Sequence, residues 1–277
     1  MTAEDLTELV ERAQGGDRGA VEAVLTAVGD DVHRLALRMT GGRDDALDAT
    51  QEILVKVLTR LSTFHHQAAF TTWVHRVAVN HLLDRKRSAV ERYEMTFGAF
   101  ADDLHDGLTA EPNSSPELDM LAREVKHGCT LALLSCLDRQ ARVAYVLGEV
   151  FGVSSRDGAW ICEISEPAYR QRLSRARTAV RHFVTAHCGL VSPDTARCHC
   201  RRRVTVAVNI GRIDPAVATN PTAADVDAAV AEMERLYDTA ALLRSLPDRL
   251  APGQAAAHIR ALLTPSRYRL LTDPTRD

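Results

Sequence analysis

The sequence predicts an all-α protein: two helical domains joined by an acidic flexible linker, the second containing a helix-turn-helix, followed by a mostly helical C-terminal extension. Three observations predict it. Apolar residues recur at steps of three and four, strand-like alternation is absent, and the period breaks at two segments rich in Pro, Ser, Gly or Cys. At 277 residues the chain also exceeds one ordinary domain. The breaks divide it into a domain at 1–92, a linker at 93–118, a domain at 119–186 and an extension at 187–277.

In the first domain Val21, Val24, Leu25, Val28, Val32 and Leu35 mark an amphipathic helix that Gly41 and Gly42 stop. A second helix opens on Asp44, Asp45 and Asp48, where carboxylates favour a helix N-terminus, and buries Leu47, Leu54, Val57, Leu58 and Leu61. The loop FHHQAAF leads into WVHRVAVNHLLDRKR. There Val74, Val77, Ala78 and His81 share one face and Arg76, Asn80, Leu83 and Arg87 the opposite one. Periodicity then fails through FADDLHDGLTAEPNSSPE, which reads as a linker. It returns with LDMLAREVKHGCTLALLSCL and breaks again at HCGLVSPDTARCHCRRR. Beyond Pro221, residues 226–243 carry a long apolar stripe, and a shorter helix is expected across 255–263.

Apolar residues at 45% and charged residues at 26% are those of a globular chain. No apolar run approaches the roughly 20 residues that span a bilayer, so no membrane insertion is expected. The opening MTAEDLTELVERAQ lacks the basic head and apolar stretch of a signal peptide, which predicts a cytoplasmic protein. Of six cysteines only Cys188, Cys198 and Cys200 crowd together, unlike a secreted disulfide framework, so reduced thiols are expected. A net charge of −3 does not suit a chain that coats DNA indiscriminately. Charge is segregated instead. Arg170, Arg172, Arg175, Arg177 and Arg181 follow one another without an acid, whereas 102–119 is predominantly acidic. This fits contact with nucleic acid through selected faces and reliance on a second macromolecule.

VSSRDGAWICEISEPAYRQRLSRARTAVRHFV divides into a short helix, a turn around residues 163–165 and a longer helix opened by Ser165 or Glu166. Tyr169, Leu173, Ala176, Val180 and Phe183 form its buried stripe, leaving Arg170, Gln171, Ser174, Arg177 and Arg181 outward. Arg can bridge guanine acceptors and Gln can bridge adenine in the major groove.

LLSCLDRQARVAYVLGEVFGVSS followed by EPAYRQRLSRARTAVR resembles the C-terminal promoter-binding domain of sigma-70 family RNA polymerase sigma factors. DDALDATQEILVKVLTRLSTF, then AAFTTWVHRVAVNHLLDRKR, is similar to the polymerase-binding and minus-ten-reading segments of that family. Domain order and acidic linker resemble its small extracytoplasmic-function members. The resemblance implies an alternative sigma factor that binds core RNA polymerase, at the β′ clamp and β flap, and directs promoter recognition, DNA melting and initiation. It implies a non-catalytic protein whose Asp45, Asp48, Gln51 and Glu52 dock on the β′ clamp coiled coil. Arg76, Asn80, Arg85, Lys86 and Arg87 would contact minus-ten DNA, with the 65–70 loop receiving a flipped base. Glu166, Arg170, Gln171, Ser174 and Arg175 would read the upstream element. The linker acids Asp102, Asp103 and Asp106 would thread the polymerase cleft. An anti-sigma factor is a further candidate partner. Trp73, an aromatic on an apolar face, reads as core.

Two departures from the family pattern stand out. Gly158 occupies a place where a branched aliphatic is usual, and Glu163 one where glycine is common. In the extension His187, Cys188, Cys198 and Cys200 are candidate ligands for zinc or another soft metal, although no cofactor is required. Their spacing matches no common zinc pattern, and a plain Cys-bearing loop is the rival reading. Two other functions remain to be weighed. A stand-alone helix-turn-helix regulator with a sensing tail leaves the first domain without a purpose, and a metal enzyme lacks a general base beside the cluster.

Overall fold

The computed structural model describes residues 3–87, 95–108, 115–213 and 215. Among these there is no strand, only an isolated parallel bridge between Cys188 and Cys198. The helices are α1 (Ala3–Gln14), α2 (Arg18–Thr40), α3 (Arg43–Thr59), α4 (Phe70–Asp84), α5 (Phe97–His105), α6 (Pro116–Ser135), α7 (Arg139–Tyr145), α8 (Ser155–Ile161), α9 (Glu166–His187) and α10 (Cys200–Asn209). Among the described residues they fall into two compact bodies, one built on 3–87 with 160–163 and the other on 95–108, 115–159 and 164–213.

In the first body α2 is the central helix. Asp17 caps it by accepting from the Ala20 amide, and Gly41 ends it in the left-handed conformation, φ 72°, with its amide on the Leu37 carbonyl. Val24, Leu25, Val28, Val32, Leu35 and Met39 are buried against α1, α3 and α4. The stripe of α3 differs from expectation. Ala46, Ala49, Thr50, Ile53, Leu54 and Val57 are buried, while Leu47 and Leu58 are half-buried. Small residues let α3 approach α2 closely, which leaves the two leucines at the contact's edge. Thr50 donates to the Ala46 carbonyl at 2.6 Å and lies 3.2 Å from His33 Nδ1, so the ring nitrogen is the donor in that pair.

The second body is built around α9. Ser115 caps α6 through the Leu118 amide and Asp138 caps α7 through the Ala141 amide. α7 passes into a π turn at Val146–Val150. Leu134, Val143, Ala144, Tyr145 and Leu147 pack with Tyr169, Leu173, Ala176, Val180 and Phe183 as its core.

Part of the expected flexible linker is helical. Thr96 caps α5, and the i, i+3, i+7 positions Phe97, Phe100 and Leu104 form a stripe that α9 covers; Phe100 stacks on Phe183 at 5.2 Å and 7°. Residues 88–94 and 109–114 lie outside the described residues. The start of the extension belongs to this body too. Val204 and Ala207 of α10 share a buried cluster with Val125 of α6. Arg203, 3% exposed, donates to the Asp106 carbonyl at 2.7 Å and approaches Asp103 at 3.4 Å. Arg212 grips the same carboxylate bidentately at 2.6 and 2.7 Å, and its hydrogen bonds hold the Asp103 carboxyl below the usual range. The helices expected at 226–243 and 255–263 lie outside the described residues.

Candidate nucleic-acid interface

The helix-turn-helix is α8, the turn at 162–165, and α9. Ser154 opens α8, its hydroxyl accepting from the Asp157 amide at 3.1 Å and donating to the Asp157 carboxylate at 2.7 Å. Glu163 takes φ 55° in the turn, the left-handed conformation for which glycine is favoured, at a cost of about 1 kcal/mol or more. Ser165 caps α9 through the Ala168 amide, and Pro167 sits in the first turn.

Gly158 stands where Tyr169 needs the space. A Cβ there would fall 2.2 Å from Tyr169 Cζ and 2.6 Å from its Oη. Tyr169 is fully buried, and its hydroxyl donates to the Ala144 carbonyl at 3.2 Å. The phenol of α9 therefore fills the volume that a branched side chain on α8 would otherwise supply.

On the outer face Arg170, Gln171, Ser174, Arg175, Arg177 and Arg181 are exposed. Arg170 pairs with Glu166 one turn earlier, an exposed contact of small energetic weight that leaves the guanidinium at the helix start. Arg177 is engaged by Glu149 of the π turn. Ser174 and Arg175 line an open groove of about 640 Å³ whose other wall is Phe97, Gly98 and Ala101 of α5. The upstream-element set thus splits into Glu166, Arg170 and Gln171 at the helix start and Ser174 with Arg175 beside α5.

In the first body Asp45, Asp48 and Glu52 follow one face of α3, with Gln51 at its flank; Asp48 and Glu52 are exposed, Asp45 and Gln51 half-buried. Arg85, just past α4, donates to the Asp45 carbonyl at 2.8 Å and approaches its carboxylate at 3.4 Å. This candidate DNA contact therefore also ties the start of α3 to the end of α4, which sequence spacing gave no means to see. Lys86 and Arg87 are exposed beyond the helix, and Arg76 and Asn80 are half-buried on it. Glu52 lies 3.3 Å from the Nε2 of buried His81, whose ring burial holds below its ordinary value, so the pair is weak near neutrality. Trp73 is half-buried and packs on Phe64 and Phe70 at 5.6 Å each, and both phenylalanines are buried. His66 has φ 55° in the loop before α4.

The candidate metal ligands divide. Cys188, Cys198 and Cys200 line one small cavity, and Cys129 of α6 joins them. His187 instead lies 3.4 Å from His105 and rests on Phe183. Among the described residues no group of three or more His, Cys, Asp or Glu side chains is placed to hold a metal ion. Burial pushes the Cys129 thiol up to about 12 and the Cys198 thiol up to about 11. Protonated thiols of this kind are poor nucleophiles.

The family descriptions Sigma-70 region 2 and Sigma-70, region 4 match residues 24–92 and 127–180. The chain is 30% identical over 192 residues to the ECF RNA polymerase sigma-E factor of Escherichia coli K12, covering 66% of this chain and 96% of that one. It is 29% identical over 184 residues to the RNA polymerase sigma-H factor of Pseudomonas aeruginosa, covering 65% and 94%. A solved co-crystal of the sigma factor RpoE with the anti-sigma factor NepR from Bartonella quintana aligns with TM-score 0.40 at 21% identity, covering 58% of this chain and 94% of that one.

Proposed function

Because this chain belongs to the sigma-70 family of RNA polymerase sigma factors, in its extracytoplasmic-function branch, we propose a division of labour between its two bodies. The protein is an alternative sigma factor: it binds core RNA polymerase and promoter DNA and directs transcription initiation. Within that function the first body docks on the β′ clamp through Asp45, Asp48, Gln51 and Glu52. Asp48 and Glu52 present unburied carboxylates suited to a basic partner surface. The minus-ten element meets Arg76, Asn80, Lys86 and Arg87, and Arg85 serves mainly to fix the α3 to α4 corner.

The second body reads the upstream element with Arg170 and Gln171 while Glu166 orients Arg170. The observation that carries this assignment is the exposed, arginine-rich start of α9, capped by Ser165 and set by the turn at Glu163. The chain supplies no catalytic group, since the polymerase carries the chemistry, and it works in the cytoplasm with that enzyme. No helix among the described residues is long and apolar enough to cross a membrane.

Arg170→Ala with Gln171→Ala is expected to lower promoter-dependent transcription while affinity for core polymerase stays near the parent's. Each lost base contact costs about 1–3 kcal/mol. Gln51→Ala with Glu52→Arg is expected to do the reverse, lowering core affinity while the fold persists. Transcription assays on promoters altered at the upstream element, run beside core-binding titrations, separate the two. An equal loss on every promoter sequence would remove base readout from α9, and unchanged core affinity would remove docking from α3.

A further inference from the structure

We propose that Cys129, Cys188, Cys198 and Cys200 form a binding site for one thiophilic metal ion of the zinc class. Four of the six cysteines in the chain, drawn from α6, the end of α9 and the start of α10, line a single cavity. The backbone arranges them. Cys188 and Cys198 are joined by the parallel bridge, with the Gly189 amide donating to the Cys198 carbonyl at 2.8 Å. His199 between Cys198 and Cys200 is extended, φ −118° and ψ 142°, which sends the two cysteines to one side and its own ring to the other. That ring lies against Gly189, where a Cβ would come within 2.5 Å of it, so His199 packs rather than ligates. Cys129 completes from α6 the set of four that tetrahedral zinc takes.

The cavity holds about 50 Å³, and its wall includes the apolar side chains of Phe100, Leu104, Leu133 and Phe183. Binding requires the four thiols to converge to about 2.3 Å from a common centre. Four S–H bonds break and four S–metal bonds form, four protons pass to solvent, and no electron is transferred. The tetrathiolate complex of a divalent ion then carries a net charge of −2, faced by Lys126 on the cavity wall. Such an ion would staple the extension to α6 and α9 and, through Phe100 and Leu104, close over α5.

The test uses the full chain, reduced and stripped with chelator, then titrated with Zn²⁺ and separately with Co²⁺. One equivalent should bind, the cobalt form should show thiolate-to-metal charge-transfer absorption, and Tm should rise. Loss of an outer-shell partner already costs 10–100-fold at metal sites, so Cys129→Ser or Cys188→Ser should weaken binding by roughly tenfold or more. His187→Ala and Cys162→Ser should bind as the parent does. Two serine variants keep the test decisive should one of them fold poorly. Absence of one-equivalent binding, binding unchanged in both serine variants, or binding lost in His187→Ala would overturn the site. Because metal is measured without polymerase, each of these outcomes is independent of the sigma-factor assignment.

Discussion

Replacing Gly158 with valine is expected to unfold the second body at markedly lower denaturant than the parent requires. Two effects compete. Gly inside a helix is about 1 kcal/mol worse than Ala, so any side chain at 158 should help α8 as an isolated helix. Against this, the first added carbon lands 2.2 Å from a Tyr169 ring atom, and the ring has nowhere to go because the residue is fully buried and its hydroxyl is held on Ala144. Overpacking of a tight core costs typically 1–3 kcal/mol and more where nothing can yield. Overpacking therefore wins, and Gly158→Val is expected to lose about 3 kcal/mol, with Gly158→Ala losing less but still destabilising. Adding Tyr169→Leu, which removes the phenol, should recover part of the valine penalty as a coupling between the two sites. An unchanged unfolding midpoint for Gly158→Val would show that the phenol does not occupy that space in solution.

Acidification is expected to weaken the first body well before its carboxylates titrate. Burial, followed by the fields of Arg43 and Arg38, pushes His33 down to about 4 from an ordinary 6.5, and burial lowers His75 and His81 as well. A histidine whose folded value lies below its unfolded one binds protons preferentially in the unfolded chain. Its stabilising share is complete above about pH 6.5 and is lost as pH falls toward 4. At 1.36 kcal/mol per unit, His33 alone accounts for a loss on the order of 3 kcal/mol across that window. The measurement is the unfolding midpoint of the first body at several pH values. His33→Asn keeps a donor for Thr50 without a titrating group and should flatten the dependence. A parent and variant that lose stability in parallel between pH 6.5 and 4.5 would contradict this role for His33.

The helices of the two bodies are legible where a stripe at steps of three and four meets its own punctuation, such as Gly41 and Ser165. In α3 the leucines stand out in the sequence, although alanines and a threonine are buried beside α2, because hydrophobicity alone undervalues small residues at a close contact. The α5 helix was hidden by the acids and glycines around it, even though Phe97, Phe100 and Leu104 already hold helical spacing. The roster at the start of α9 was also readable. Its internal bookkeeping was not, since Glu149 engages Arg177 from a π turn 28 residues away. Cys129 had no sequence signal linking it to Cys188, Cys198 and Cys200; only the packing of α10 on α6 brings them together. The fit of Tyr169 over Gly158 is likewise tertiary, and it accounts for a departure that the sequence could flag but not explain.

The most direct test of the central claim is run-off transcription from pooled genomic promoter DNA with core RNA polymerase, with and without the full chain. Core polymerase alone should give no discrete product, and adding the chain should produce transcripts from defined start sites that share an upstream element. Those products should fall sharply with Arg170→Ala and Gln171→Ala combined and also with Gln51→Ala and Glu52→Arg combined. Promoter DNA bound by the chain with no polymerase-dependent start would contradict the assignment and leave a stand-alone DNA-binding protein in its place.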